Sequence, residues 1–237
     1  LEESARKHSR RTALVFGQKT LDYKTLNETT SAIASGLHKQ GINKNDRIAL
    51  FLDNCPEFIL SYYAVLKTGA TVVPINYMFK IEEAKYIIED SRARAVITSR
   101  LNLEATREIR LRVDSLKQII TTTKVEDDIL DLARLAKSPA HAFSYKTIGR
   151  HDPAVIMYTS GTTGRPKGAV LTHQNLVSNA LDAKQAIAIT PKDTFICILP
   201  LFHSFAATVC MNLPLAIGAK IVVMKTLKPF KRVIRAI

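Results

Sequence analysis

Cysteine is scarce in this chain. There are three in 237 residues, Cys55, Cys197 and Cys210, an odd number without Cys-x-x-Cys spacing. That argues against a disulfide scaffold or a structural zinc site and for a reducing compartment. Each cysteine then reads as a small buried apolar residue. Acidic residues are also short, 21 Asp and Glu against 34 Lys and Arg, a net of +13. Such a balance favours anionic partners: nucleotides, phosphorylated cofactors, nucleic acid or anionic lipid. It is equally what a piece of a larger protein with an acidic remainder shows. Low-complexity segments and internal repeats are missing. The opening LEESARKHSRR lacks the basic-then-apolar order of a secretory signal. One long run, residues 195–219, lacks every charged residue, and a membrane-spanning helix needs about 20 apolar residues. Pro200 and Pro214 interrupt it, and His203, Ser204, Thr208 and Asn212 dilute it. It reads as a buried strand followed by a buried helix.

What is there is globular. The chain is 46% hydrophobic, enough for a substantial core in one large domain or two small ones. Short strands over 13–16 and 19–23 flank Gly17-Gln18 as a hairpin. Leu26, Ile33 and Leu37 recur at helical spacing, and Gly41 sits where a C-terminal cap belongs. A strand over 46–52 precedes a helix from Pro56 to Lys67, closed by Gly69. Strands follow over 71–75, 95–98 and 118–121, with helices over 81–90, 100–113 and 129–136. This alternation predicts an α/β fold, parallel sheet with helices on its faces. Residues 137–152, with little periodicity, read as a connecting loop. A strand over 154–158, a helix over 173–188 capped by Thr172, a strand over 194–199, an apolar helix to Ile217 and a strand over 220–224 complete the chain. The last residues read as the start of another helix.

The most informative stretch is residues 154–171. An apolar run passes into Thr159, Ser160, Gly161, Thr162, Thr163 and Gly164, then Lys167, Gly168 and a second apolar run. Glycines let a backbone approach phosphate oxygens and expose its N–H donors. The hydroxyls add donors and Lys167 adds a point charge. The P-loop of NTPases does not fit, because Pro166 stands where its second glycine belongs and Gly168 follows Lys167. A nucleophile elbow does not fit either, because Tyr158 stands where its first glycine belongs.

Residues 158–168, YTSGTTGRPKG, closely resemble the phosphate-loop signature of the adenylate-forming, or AMP-binding, superfamily, and specifically its acyl-CoA synthetases. LDYKTLNETTSAIASGL (21–37), DRIALFL (46–52), LKTGATVVPIN (66–76) and PLFHSF (200–205) extend the similarity in order along nearly the whole chain. The resemblance implies the incomplete N-terminal domain of that fold: layered sheets with flanking helices, in two lobes interleaved along the sequence. The first strands and the end of the chain would then share a lobe. The family's Tyr-Gly-x-Thr-Glu and Thr-Gly-Asp strings, and its small C-terminal domain with a catalytic lysine, would lie beyond Ile237. The expectation is therefore a partial AMP-binding domain over 1–237, inactive by itself.

The implied reaction joins a carboxylic acid, a fatty acid as first guess, to AMP at the expense of ATP, then transfers the acyl group to CoA. ATP, Mg2+ and CoA are the implied co-substrates. Thr159, Ser160, Gly161, Thr162, Thr163 and Gly164 would hold the ATP phosphates, and Lys167 would compensate the charge of the leaving pyrophosphate. The structural alternatives are a polar turn and a solvated lysine. His203 would line the acyl pocket with Phe202 and Phe205, against the alternative of plain core groups. Ala206 stands where many fatty-acyl members have glycine. His173 reads as a first-turn helix residue. No residue is assigned to a metal. Arg92, Arg94, Arg100, Arg107, Arg110 and Arg112 read as a solvated face without interleaved aromatics, which disfavours nucleic acid. Two other readings stay open: a non-catalytic nucleotide- or partner-binding module, and a basic nucleic-acid-binding protein. The expected location is cytoplasmic, with peripheral membrane contact left open.

Overall fold

The computed structural model describes residues 1–125, 129–139, 148–159 and 165–225. In chain order it contains α1 (Glu2–Lys7), β1 (Thr12–Phe16), β2 (Lys19–Asp22), α2 (Tyr23–Lys39), β3 (Arg47–Phe51), α3 (Pro56–Thr68) and β4 (Thr71–Pro74). There follow α4 (Ile81–Asp90), β5 (Ala95–Thr98), a 3-10 turn (Arg100–Asn102), α5 (Leu103–Arg112), β6 (Gln118–Thr121), β7 (Leu130–Asp131) and α6 (Leu132–Leu135). The remainder is β8 (Pro153–Thr159), β9 (Lys167–Thr172), α7 (His173–Ala186), β10 (Thr194–Cys197), α8 (Ser204–Ala206), a π-helical stretch (Ala207–Asn212), α9 (Leu213–Ile217) and β11 (Lys220–Val223).

These elements form two compact units interleaved along the chain. One holds Thr30–Leu52 and Leu60–His173 and carries a sheet in the order β7-β6-β5-β3-β4-β8-β9. Every neighbouring pair from β7 to β8 is parallel, and only β8 and β9 run antiparallel. β4 and β5 are buried at every position, as strands covered on both faces must be. Ala49, Phe51, Val73, Ile75, Ile87, Ile88, Val96 and Ile109 form its core cluster. Ala84, Ile87 and Ile88, one helical turn apart on α4, and Ile109 on α5 supply their share of it. Pro56 opens α3, and Gly69, at φ +77°, ends it in the left-handed conformation that a Cβ disfavours.

The other unit holds Leu1–Thr29, Asp53–Ile59 and the described residues from Gln174 onward, with sheet order β10-β11-β1-β2. β1 pairs in parallel with β11, Leu14 opposite Ile221, and antiparallel with β2. The first strands and the late strands thus share one unit, as the interleaved fold requires. Tyr23 locks this closure. Its buried hydroxyl donates to the Ala219 carbonyl at 2.6 Å, with the Pro214 carbonyl at 3.1 Å. Burial pushes its pKa well above the usual tyrosine range, so it stays a neutral donor.

Several expectations need correction. Residues 129–136 are a two-residue strand and a single helical turn, not one helix. Leu132 and Leu135 have helical spacing, but Leu130 and Asp131 are drawn into pairing with β6. Tyr23 begins α2 rather than ending β2. The apolar segment before Ile217 is a helical turn, a π-helical stretch and a further helix. α1 has no counterpart in the sequence reading, because it buries only Ser4 and Ala5. The helix expected at the chain's end lies outside the described residues. All three cysteines are free and buried. Among the described residues no helix is long and apolar enough to cross a membrane. Three arginines of the basic face are ion-paired, Arg94 with Asp46, Arg107 with Glu104, and Arg112 with Glu82 and Glu108.

Tyr23→Phe leaves the buried Ala219 carbonyl without its hydroxyl donor. The substitution is expected to cost about 1–2 kcal/mol. Chemical denaturation with an unchanged slope checks it.

Candidate functional site

The sheet's one antiparallel pair positions the candidate site. β8 is parallel to β4, Val72 opposite Val155, so β8 ends at the same edge as the carboxyl ends of β3, β4 and β5. Ligands of open α/β sheets bind at that edge. β9 returns antiparallel, with Tyr158 opposite Gly168 and Thr159 opposite Lys167. Of the predicted phosphate-binding residues, Thr159 and Lys167 are therefore brought together as the last pair of the hairpin stem, and both are exposed. Ser160, Gly161, Thr162, Thr163 and Gly164 lie outside the described residues.

The far end of the hairpin is held electrostatically. The Asp152 carboxylate takes Lys44 Nζ at 2.7 Å and accepts the Gly149 N–H at 2.6 Å. Its carbonyl accepts the His173 N–H at 3.1 Å. The Lys44 hydrogen bond and then the Gly149 N–H hold the Asp152 carboxyl below its ordinary value. Burial lowers the His173 pKa, and its buried Nε2 has no hydrogen-bond partner among the described residues. His173 is the first residue of α7, as expected.

The predicted acyl-pocket residues divide by exposure, within the other unit. Phe202 is buried at 9%, whereas Phe205 is 63% exposed. His203 is exposed too. The Phe202 and His203 rings lie 4.3 Å apart, tilted. His203 precedes α8, donating its N–H to the Pro200 carbonyl at 3.0 Å and accepting the Ala207 N–H at 2.9 Å. Ala206 is fully buried. The π-helical stretch that follows is a rare geometry that recurs at functional sites.

Sequence reasoning missed the residue that holds this segment. Asn54 is buried and stands just before α3, where an amide reads as a helix-entry residue. Its side chain instead donates to the Leu199 carbonyl at 2.9 Å and the Met224 carbonyl at 3.3 Å, and accepts the Leu201 N–H at 2.9 Å. One amide thus ties the ends of β10 and β11 and fixes the start of the PLFHSF segment. Only the distance in sequence hid it.

Among the described residues no group of three or more His, Cys, Asp or Glu is arranged to hold a metal.

Sheet order, interleaved units and the carboxyl-edge hairpin define the N-terminal fold of the adenylate-forming CoA ligases. The family model of the AMP-binding enzymes matches residues 1–237, and the chain belongs to that family. It is 34% identical over 212 residues to a crotonobetaine/carnitine–CoA ligase of Citrobacter koseri, covering 85% of this chain and 41% of that protein. The crystal structure of the N-terminal domain of FACL13 from Mycobacterium tuberculosis, solved with an inhibitor, superposes with a TM-score of 0.88 at 30% identity. That match covers 98% of this chain and 57% of that one. ATP-bound MatB from Rhodopseudomonas palustris matches with a TM-score of 0.83 at 27% identity, covering 97% and 46%. The chain spans less than half the length of the curated relatives it matches.

Two predictions follow the geometry of this region. Asp152 has a depressed pKa, so its contribution is complete above the ordinary value of 3.8 and is lost as pH falls through the lowered one. Asp152→Asn should lower the thermal midpoint at neutral pH and leave it unchanged at strongly acid pH, read from unfolding scans across pH. Asn54→Ala removes the partners of Leu199 and Leu201. It should destabilise this unit by about 1–3 kcal/mol and speed exchange of the Leu201 amide, measured by hydrogen exchange.

Proposed function

We propose that this chain is the phosphate-binding part of an ATP-dependent acyl-CoA synthetase. The single observation that carries the reading is the hairpin at the sheet's carboxyl edge. It sets Thr159 opposite Lys167 at the two ends of the YTSGTTGRPKG loop.

A carboxylate is a poor electrophile. In the proposed reaction its oxygen attacks the α-phosphorus of ATP, forming a carboxyl–phosphate anhydride as the bond to pyrophosphate breaks. The CoA thiol then attacks the acyl carbonyl, and AMP leaves with the bonding electron pair. Charge builds on the departing pyrophosphate, so fixed donors and a cation there lower the barrier. Thr159, Ser160, Thr162 and Thr163 bring hydroxyl donors. Gly161 and Gly164 allow close backbone approach. Lys167 brings the cation, and it enters from a strand end rather than from a freely moving loop. Mg2+ comes with ATP as part of the substrate.

His203 and Phe205 form the wall on which the acyl group lies, with Phe202 anchoring them from the core. Their exposure supports this role. A fatty acid is the proposed carboxylate, and the apolar character of PLFHSF supports it. The chain alone is proposed to be inactive, and its free buried thiols fit a cytoplasmic, reducing setting.

ATP–pyrophosphate exchange by the full-length protein, run across a panel of fatty acids, tests the reading. Exchange with at least one acid is expected. Silence across fatty, aryl and short-chain acids, with nucleotide still bound, would point instead to a non-catalytic module. Lys167→Ala should slow exchange on the order of 100-fold, and an unchanged rate removes the assigned role.

A further inference from the structure

α4 carries two polar side chains, Tyr86 and Asp90, that its own stability does not account for. They are four residues apart and so lie on one face of the helix. Asp90 occupies the last turn, which holds no basic residue, and a carboxylate there opposes the helix dipole. Each of the two reaches a different arm of the β8–β9 hairpin. Tyr158 donates its hydroxyl to Asp90 Oδ2 at 2.5 Å. Tyr86 donates its hydroxyl to the Pro166 carbonyl at 3.1 Å. Tyr158 is the residue before Thr159, and Pro166 the residue before Lys167. Both tyrosine rings pack on the core cluster that α4 helps to build.

Gly168 makes the first link possible. It lies opposite Tyr158 in the ladder. A Cβ at Gly168 would fall 2.7 Å from Ile156 Cγ2 and 3.1 Å from Tyr158 Cζ. The missing side chain therefore gives the Tyr158 ring its place across the partner strand, with its hydroxyl at α4. Burial and the neighbouring Asp90 carboxylate push the Tyr158 pKa far up, so the hydroxyl remains a donor.

We infer that α4 is the brace of the hairpin stem: Asp90, through Tyr158, and Tyr86, through Pro166, fix both points where the loop leaves the sheet and so hold Thr159 and Lys167 in place for the nucleotide phosphates. Tyr86, Asp90 and Tyr158 are positioning residues, since none is assigned to the reacting atoms. The inference rests on the nucleotide reading above. It adds that the two stem positions are held by a helix outside the signature sequence, which lowers the ordering cost of binding.

The test uses the full-length protein and two readouts. The first needs no nucleotide: the rate of trypsin cleavage after Lys167, which follows local opening. The second is the Kd for Mg-ATP by calorimetry. Tyr158→Phe keeps the ring and removes the hydroxyl. It should accelerate that cleavage and weaken Mg-ATP about tenfold, the effect of one lost charge-assisted hydrogen bond. Asp90→Ala should match it, and the Tyr158→Phe/Asp90→Ala double variant should be no worse than either alone, because the two share one interaction. Asp90→Asn, which still offers an oxygen to the tyrosine, should recover most of the affinity. Additive losses in the double variant, or no recovery in Asp90→Asn, would mark general destabilisation and overturn the brace. So would unchanged cleavage in Tyr158→Phe and Tyr86→Phe. Faster cleavage with an unchanged Mg-ATP Kd would overturn the positioning role. Failure of the unsubstituted protein to bind Mg-ATP would sink the nucleotide reading first, a result separate from the cleavage assay.

Discussion

The reversal of direction between β8 and β9 is the constraint on which the candidate site depends. Parallel strands need long crossovers, and the sheet uses helical ones from β3 to β6. At β8 the chain instead turns straight back, and Thr159 meets Lys167 across the stem. A parallel partner to β8 would carry the chain away from the carboxyl edge through a further helix. The antiparallel one returns it at that edge, and the loop between the strands has both ends there. Lys167 owes its place to the ladder, because it is the first residue of a strand and the last rung of a stem.

The stem in turn depends on contacts distant in sequence. Asp152 meets Lys44 at one end of the hairpin, and Tyr158 meets Asp90 near the other. The second unit is built on the same principle. β1 lies beside β11 although about two hundred residues separate them, and the Tyr23 hydroxyl secures that closure. Asn54 then ties three late-chain backbone groups with one amide. The Tyr23 and Asn54 links supply partners to backbone groups that packing removes from water.

Much of the fold was legible because its signals are local. The spans 81–90, 95–98 and 118–121 agree with α4, β5 and β6 residue for residue. Apolar periodicity and flanking turn residues suffice where a strand is wholly buried or a helix has one apolar face. The failures also have physical causes. Leu132 and Leu135 produce a helical period, but Leu130 is claimed by pairing with Ile120, and no window of sequence contains that competition. Helix α1 buries small residues and so carries no apolar stripe. Of the candidate site, the stretch from Thr159 to Lys167 stood out in the sequence because glycine, hydroxyl and lysine lie close together there, and the structure adds that Thr159 and Lys167 pair across the stem. Asn54, Tyr86 and Asp90 did not stand out, since an amide before a helix and a tyrosine and carboxylate on one are ordinary surface choices.

By itself, the order of residues determined the α/β class and the family, because these rest on period, composition and contiguous motif. Only the tertiary structure decided the register in which β1 lies beside β11, that Phe202 is buried while His203 and Phe205 are exposed, and that a helix about seventy residues earlier bonds to the stem of the loop. The reason is that burial and hydrogen-bond partnership belong to pairs of distant residues. A pair's energy appears only when packing removes the water between its members.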